Sequence, residues 1–261
     1  MLDFYLFSHF QNYPMLNHKV TTKDMTQPYD FSLALHTGEN ASDIIANRQL
    51  LAKAFGSETL HFVVANQTHS DHIRIITKQT AQGWEALADA IEDCDALISN
   101  QRDIVLTILT ADCVPILLYD PKQEVIAAIH AGWKGTKAEI VTKTIAKMQE
   151  VFNTNPKDII AGIAPSIGRC CYEVGEDVAH HFSHIPHAYT PKHDKYMLDL
   201  PYINKMQLID AGVLEKNIEM SDICTACEVD NFFSYRQEQG CSGRFMSMIT
   251  LQQTKENNHE N

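Results

Sequence analysis

Three strand-length apolar runs separated by short turns constrain the fold of this chain more than any other feature. The runs are DIVLTILT (103–110), VPILLY (114–119) and EVIAAIH (124–130). They are rich in β-branched and other apolar residues, which is typical of buried strands. The turn-forming segment DPKQ (120–123) joins the second run to the third, so these two predicted strands are antiparallel neighbours. The sequence therefore predicts a β-sheet that contains these runs.

Predicted helices alternate with the strands. The segment SDIIANRQLLAKAFG (42–56) carries an apolar stripe at helical spacing, with Ser42 or Asp43 as N-cap and Gly56 at its end. Thr136 and Glu139 form a predicted capping box before the amphipathic helix 140–152. In residues 60–77, two β-rich parts flank NQTHSD, which predicts a turn between strands. This mixture indicates an α+β (mixed α/β) fold and not a doubly wound parallel sheet.

Composition limits the organisation and the partners. The 261 residues are 44% hydrophobic and contain no Gly/Ser-rich or Pro-rich linker, so we expect a single domain over 1–261 with a disordered tail at 253–261. A net charge of −12 makes nucleic acid a poor partner. No run of 18 apolar residues and no signal-peptide pattern occurs, so we expect no membrane partner, a cytoplasmic location, and a monomer or weak homodimer.

Two histidines and one cysteine occupy similar places in the predicted elements. His69 lies in the predicted turn NQTHSD, Cys113 lies between two apolar runs, and His130 lies at the end of a strand. Two imidazoles and a thiolate suit zinc, and three protein ligands leave the fourth tetrahedral position open, as in catalytic sites. Their spacing fits no standard zinc signature, so an ordinary buried cysteine and ordinary histidines remain the alternative.

The other cysteines give a weaker signal. Cys224-x-x-Cys227 has the spacing of half a zinc ribbon or of a redox pair, but the chain has no second C-x-x-C. We expect Cys170 and Cys171, being adjacent, to point in different directions, with one of them in the core. Buried thiols are therefore the prediction for these residues.

Several segments together resemble one known family. They are NQTHS, LTADCVPILLYD, IHAGWKGT, IAPSIGRCCYEVG, LDL, CT-x-C, FFSYR and SGR, within a match that runs from Arg48 to Arg244. The family is that of the purine nucleoside phosphorylases formerly labelled multicopper polyphenol oxidases, or laccase-domain proteins. The resemblance implies that His69, Cys113 and His130 bind zinc. It also implies a mixed β-sandwich core flanked by helices in four layers, α/β/β/α.

The same resemblance implies an activity. Family members catalyse phosphorolysis of adenosine, inosine and methylthioadenosine, and deamination of adenosine. Zinc favours deamination because it lowers the pKa of bound water. Phosphorolysis requires an anion site, for which the candidates are Arg48, Lys134, Arg236 and Arg244. Lys134 replaces the usual arginine of the family motif and lacks its planar fork. Asp112 either orients a ligand, acts as acid or base, or simply caps a turn.

Three other functions remain open. The first is a copper-dependent polyphenol oxidase, although the chain has no His-x-His pair and the three ligands would hold at most one copper, adventitious or as the alternative metal. The second is a hydrolase of cell-wall precursors with Cys113 as nucleophile and His130 as base. The third is a zinc-stabilised interaction module, against which the open coordination position argues.

Overall fold

The computed structural model describes residues 2–56, 59–240 and 242–252; the predicted disordered tail at 253–261 lies outside the described residues. Two large mixed sheets form its centre. The five-stranded sheet contains, in spatial order, β1 (Phe4–Tyr5), β2 (Leu16–Thr21), β14 (Phe245–Leu251), β6 (Ile104–Thr110) and β3 (His61–Val63). The six-stranded sheet contains β13 (Ile218–Met220), β9 (Ile160–Ile163), β7 (Val114–Asp120), β8 (Val125–Ala131), β5 (Ala96–Ser99) and β4 (Ile73–Ile75).

A small third sheet and the helices complete the described elements. The third sheet is antiparallel, in the order β10 (Glu173–Val174), β12 (Lys195–Leu198), β11 (Tyr189–Lys192). The α-helices are α1 (Ser8–Gln11), α2 (Ala41–Ala54), α3 (Trp133–Lys137), α4 (Ile140–Phe152), α5 (Glu176–Ala179) and α6 (Leu200–Asp210). Short 3-10 turns cover Pro28–Phe31, Leu87–Asp89, Pro156–Asp158, His180–Phe182 and Glu215–Asn217.

The layers follow from the two-residue periodicity of the strands. In β7, Leu117 and Tyr119 belong to the core between the two large sheets, whereas Ile116 and Leu118 belong to the core under α4 and α6. On the other side, α2 covers the outer face of the five-stranded sheet through residues such as Leu51. Because both faces of the two large sheets are covered at their centres, every residue of β6, β7 and β8 is buried. The predicted four-layer α/β/β/α architecture is confirmed.

Two details of the helix ends differ from the prediction. Asn40, and not Ser42 or Asp43, is the N-cap of α2, and its side chain accepts the N–H of Ser42 at 2.9 Å. The capping box before α4 is wrong, because Thr136 lies in the preceding helix α3 and Glu139 has a left-handed φ of 60°. A sharp break between α3 and α4 thus replaces a conventional cap.

The predicted turn NQTHSD is a crossing between sheets. β3 belongs to the five-stranded sheet and β4 to the six-stranded sheet, so the two strands are not paired. The connection from β6 to β7 crosses in the same sense. β3 runs parallel to β6, and the start of β7 pairs with the end of β8, as Pro115 opposite His130 shows. Both crossings and the end of β8 therefore meet at one edge of the sandwich.

Candidate metal centre and active site

Three side chains converge at that edge. His69 comes from the β3–β4 crossing, Cys113 from the β6–β7 crossing and His130 from the end of β8, and their potential ligand atoms all lie within 4.8 Å of one another. The sulfur of Cys113 is 3.7 Å from Nε2 of His69, and the two imidazole centroids are 4.8 Å apart. His130 is buried, Cys113 is partly buried and His69 is exposed. The group is therefore open to solvent on one side only.

Gly132 allows this close approach. A Cβ atom at this position would lie 2.8 Å from Cδ2 of His69 and 3.1 Å from the sulfur of Cys113. The backbone of Gly132 has an extended conformation that any residue adopts, so space and not φ requires glycine here. Gly132 of the HAGWKG segment therefore leaves the space that the side chains of His69 and Cys113 occupy.

Asp95 organises two of the three candidate ligand residues, and no pattern in the sequence predicted this role. Its buried carboxylate accepts Nδ1–H of His130 at 2.6 Å and the backbone N–H of His69 at 3.1 Å and of Ser70 at 2.7 Å. The backbone carbonyl of Asp95 also accepts the N–H of His130 at 2.7 Å. Because Nδ1 of His130 donates to Asp95, Nε2 is the ring nitrogen available to a metal, in exchange for any proton that it carries.

The electrostatics of the group favour a bound cation. Burial alone would raise the pKa of the Asp95 carboxyl, but His130 and the Ser70 hydrogen bonds hold it well below its usual range. Burial likewise opposes ionisation of Cys113, yet the His130 and His69 imidazoles lower the pKa of the thiol. Burial opposes a charged His130, whereas Cys113 and Asp95 raise its pKa. A thiolate and a carboxylate thus lie beside imidazoles that a metal could bind.

The donor set fits zinc. It offers two nitrogens and one sulfur from three separate segments, with His130 oriented by a carboxylate through its other ring nitrogen. Zinc sites with three protein ligands of this kind keep one position open for water or substrate. Copper also binds such a set, so the residues could hold either metal.

A cavity of about 480 Å³ opens over these three residues. Trp133, Tyr172 and Tyr235 supply aromatic surface to its lining. Arg236 and Arg244 also line it. The Arg236 guanidinium donates to one backbone carbonyl and the Arg244 guanidinium to two, and each lies near a tyrosine ring. The cavity therefore combines aromatic walls, two cations and the three potential ligands.

The four predicted cations do not all reach the cavity. Arg48 is buried at 1% exposure, and its guanidinium donates to the carbonyls of Leu33, Gly83 and Trp84. It holds loops together and does not line the cavity. Lys134 is exposed, with Nζ 5.7 Å from the ring centroid of Trp133, and does not line the cavity either. Arg236 and Arg244 are the two that the structure brings there.

Asp112 lines the cavity with both carboxylate oxygens engaged. Oδ1 accepts the hydroxyl of Thr225 at 2.7 Å, and Oδ2 accepts the backbone N–H of Arg236 at 2.6 Å. Its φ of 88° lies in the left-handed region. These contacts favour the orienting role considered from the sequence, because the carboxylate fixes the segment that carries Arg236.

The remaining cysteines are arranged differently from the prediction. Cys170, Cys171, Cys224 and Cys227 form a second group whose sulfurs all lie within 4.8 Å of one another. None of the four is fully buried, so the predicted core position for one of the adjacent pair is wrong. Within the described ranges, no helix is long and apolar enough to cross a membrane.

Relatives of known structure share this architecture. A crystal structure of YfiH from Bacillus licheniformis, described as a hypothetical protein, matches with a TM-score of 0.89 and 32% identity over 95% of this chain and 99% of that chain. The crystal structure of YlmD from Geobacillus stearothermophilus matches with a TM-score of 0.88 and 29% identity, over 95% and 94% of the two chains.

Relatives with an assigned function are similar over most of their length. The purine nucleoside phosphorylase YlmD of Bacillus subtilis is 32% identical over 234 residues, 87% of this chain and 84% of that protein. A purine nucleoside phosphorylase of Bacteroides thetaiotaomicron is 34% identical over 251 residues, 92% and 93% of the two proteins. Residues 18–252 match the family described as multi-copper polyphenol oxidoreductase laccase. The resemblance found in the sequence is thereby confirmed, and the chain belongs to this laccase-like family, whose curated relatives include these purine nucleoside phosphorylases.

Proposed function

We propose that the protein is a zinc-dependent purine nucleoside phosphorylase that acts on adenosine, inosine and methylthioadenosine and also deaminates adenosine. The observation that carries the proposal is the convergence of His69, Cys113 and His130 beside a cavity with aromatic walls and two arginines. The names of the curated relatives support the phosphorylase activity. Deamination rests on the donor set, which suits zinc.

The metal ligands would be His69, Cys113 and His130. A zinc ion bound there supplies a Lewis acid that lowers the pKa of water. Asp95 holds His130 in the tautomer that leaves Nε2 free, and it fixes the backbone of His69. The buried side of the group keeps water away from His130, while exposed His69 faces the cavity. The geometry thus orients the ligands toward a substrate.

The cavity walls offer one surface for the purine base and another for the phosphate of a phosphorolysis reaction. The rings of Trp133, Tyr172 and Tyr235 offer surfaces on which a purine stacks. Arg236 and Arg244 would bind phosphate: each guanidinium carries five N–H donors, of which the hydrogen bonds to backbone carbonyls use only a part. Cations beside the reaction centre position phosphate and stabilise developing charge.

The alternatives differ in how the structure supports them. A multicopper centre requires many histidines, whereas in the part of the chain that the structure describes the two candidate groups are the His–Cys–His set and the four cysteines. A cysteine hydrolase is the second candidate, because the imidazoles beside Cys113 lower the pKa of its thiol. The single-domain organisation, the cytoplasmic location and the monomeric or weakly dimeric state stay predictions.

Product analysis with adenosine tests the proposal. Protein of defined metal content is incubated with adenosine, with and without phosphate, and the products are separated by chromatography. We expect adenine and ribose 1-phosphate with phosphate, inosine without it, and loss of inosine formation in Cys113→Ser and His130→Ala. Unchanged deamination in both variants would remove zinc from the reaction. No nucleoside turnover, together with Cys113-dependent cleavage of an amide or ester, would favour the hydrolase.

Replacement of the cations tests the anion site. Arg244→Ala should raise the KM for phosphate about tenfold or more, because a charge-assisted hydrogen bond is lost. Lys134→Ala is the matched control, since it removes an exposed cation outside the cavity. An equal effect of both replacements would show that overall charge, and not a bound arginine, governs phosphate use.

A further inference from the structure

We propose that Cys170, Cys171, Cys224 and Cys227 bind one zinc ion in a closed tetrathiolate site. This site is separate from the His–Cys–His group and does not depend on the function proposed for it. Its four sulfurs would fill the coordination sphere and leave no position for a substrate, so the role is structural.

The four sulfurs lie close enough together for one ion to bind all of them. The sulfur of Cys227 is 3.6 Å from that of Cys170 and 3.4 Å from that of Cys171, and all four sulfurs lie within 4.8 Å of one another. A Zn–S bond of about 2.3 Å places the sulfurs of a tetrahedral site about 3.8 Å apart. A disulfide would require about 2.05 Å, so these thiols are close neighbours without being bonded.

Two turns present the cysteines to one another. In the first turn the N–H groups of Cys171 and Tyr172 both donate to the carbonyl of Gly168 at 3.0 Å. In the second the N–H of Cys227 donates to the carbonyl of Cys224 at 3.1 Å. A β-bridge between Ser166 and Cys224 holds the two turns side by side. The turn at 168–172 explains how two adjacent cysteines both reach one centre.

A backbone donor supports the thiolate form. The N–H of Gly168 donates to the sulfur of Cys224 at 3.2 Å, and hydrogen bonds of this kind orient sulfur ligands and stabilise their charge in metal sites. Four thiolates at these separations repel one another strongly unless a cation lies between them. Cys170 and Cys227 are exposed, which gives an ion a route to the centre.

The site would stiffen one wall of the cavity. Tyr172, directly after Cys171, lines the cavity, and so does Ile167. Thr225 lies between Cys224 and Cys227 and donates its hydroxyl to Asp112. A metal that joins the two turns would therefore fix the Tyr172 ring and the Asp112 carboxylate relative to each other.

Metal analysis of a full-length variant isolates this site. In His69→Ala/Cys113→Ala the other group has lost two of its three ligands, so we expect that about one zinc per chain remains after purification under reducing conditions. Adding Cys227→Ser should abolish this zinc, whereas Cys227→His should retain it, because imidazole also binds zinc. Cys94→Ser is the control, since Cys94 is buried and belongs to neither group.

A cobalt spectrum tests the site with all four cysteines in place, so a folding defect of the Cys227 variants does not affect its result. Cobalt added to the metal-free His69→Ala/Cys113→Ala protein should give the intense sulfur-to-metal charge-transfer absorption and visible bands of a tetrahedral tetrathiolate site. Chelator should lower the melting temperature of the zinc-loaded form. A folded double variant that binds neither zinc nor cobalt overturns the proposal. So does a native disulfide among the four cysteines under reducing conditions, or iron in place of zinc.

Discussion

Replacement of Asp95 by asparagine should weaken zinc binding at the His–Cys–His site while leaving the fold in place. One carboxylate oxygen of Asp95 accepts Nδ1–H of His130 and the N–H of His69, and the other accepts the N–H groups of Thr68 and Ser70. An asparagine amide must direct its NH₂ group at one of these sets of donors. An NH₂ facing Thr68 and Ser70 opposes two backbone donors, so the orientation toward His130 costs less.

That orientation has a consequence for the metal. The NH₂ of the introduced asparagine would donate to Nδ1 of His130, which would then carry its proton on Nε2 and lose the lone pair that binds the metal. Loss of a carboxylate partner of a metal-binding histidine costs about 10–100-fold in metal affinity. This range equals about 1.4–2.8 kcal/mol, and the change of tautomer places Asp95→Asn toward its upper end.

The assay is zinc affinity measured against a competing chelator. Asp93→Asn is the matched control, because it makes the same change of charge on a side chain of the same loop that is 54% exposed. Circular dichroism checks that both variants are folded. Zinc affinity in Asp95→Asn equal to that of the wild type, with Asp93→Asn also unchanged, would refute the tautomer argument.

Three further changes test other parts of the structure. Gly132→Ala should weaken zinc binding in the same chelator assay, because the new Cβ would lie 2.8 Å from a ligand imidazole; Gly38→Ala, which has nothing within 4 Å, should cost stability only, through its φ of 97°. Arg48→Met should lower the free energy of unfolding in urea by about 3 kcal/mol or more, since three buried carbonyls lose their donor at about 1–3 kcal/mol each, and should leave the KM for phosphate unchanged. Burial lowers the pKa of His18 from 6.5 to about 4, so the unfolded chain binds a proton that the folded chain does not. The free energy of unfolding that neutral His18 contributes above pH 6.5 is therefore lost as the pH falls toward 4. This loss is about 2 kcal/mol between pH 7 and 5. His18→Gln should remove this loss in urea unfolding, whereas exposed His184→Gln should retain it.

The strands could be predicted from the sequence because their pattern depends on local burial. The run 104–110 is apolar except for Thr107 and Thr110, and every residue of β6 is buried. The assignment of strands to sheets could not be predicted in this way. The residues between β3 and β4 look like a hairpin turn, yet β3 pairs with β6 and β4 with β5. Pairing depends on contacts distant in sequence, which a turn pattern does not record.

The candidate site likewise contains residues that local sequence patterns predict and residues whose role depends on contacts distant in sequence. His69, Cys113 and His130 were found from their positions at strand ends and from the family motifs. Asp95 was missed because its role depends on β5 pairing with β8, although an aspartate directly before a buried strand was a usable signal. The grouping of Cys170 with Cys227 was missed because adjacent cysteines were expected to diverge, and the turn at 168–172 overrides that expectation.

The two candidate metal-binding groups differ in how rigidly the protein holds their side chains before a metal binds. His69 has a left-handed φ of 62°, which costs a non-glycine residue about 1–2 kcal/mol. The hydrogen bonds from three successive N–H groups to the Asp95 carboxylate, each worth about 1.5–3 kcal/mol, more than offset this cost. This ligand is therefore held in place by the buried framework before any metal binds. The four cysteines lie on two partly exposed turns, and a metal there would itself supply the link between them. Removal of metal should consequently leave the His–Cys–His geometry intact and loosen the cysteine turns, and hydrogen exchange at residues 168–172 and 224–228 is the place to measure it.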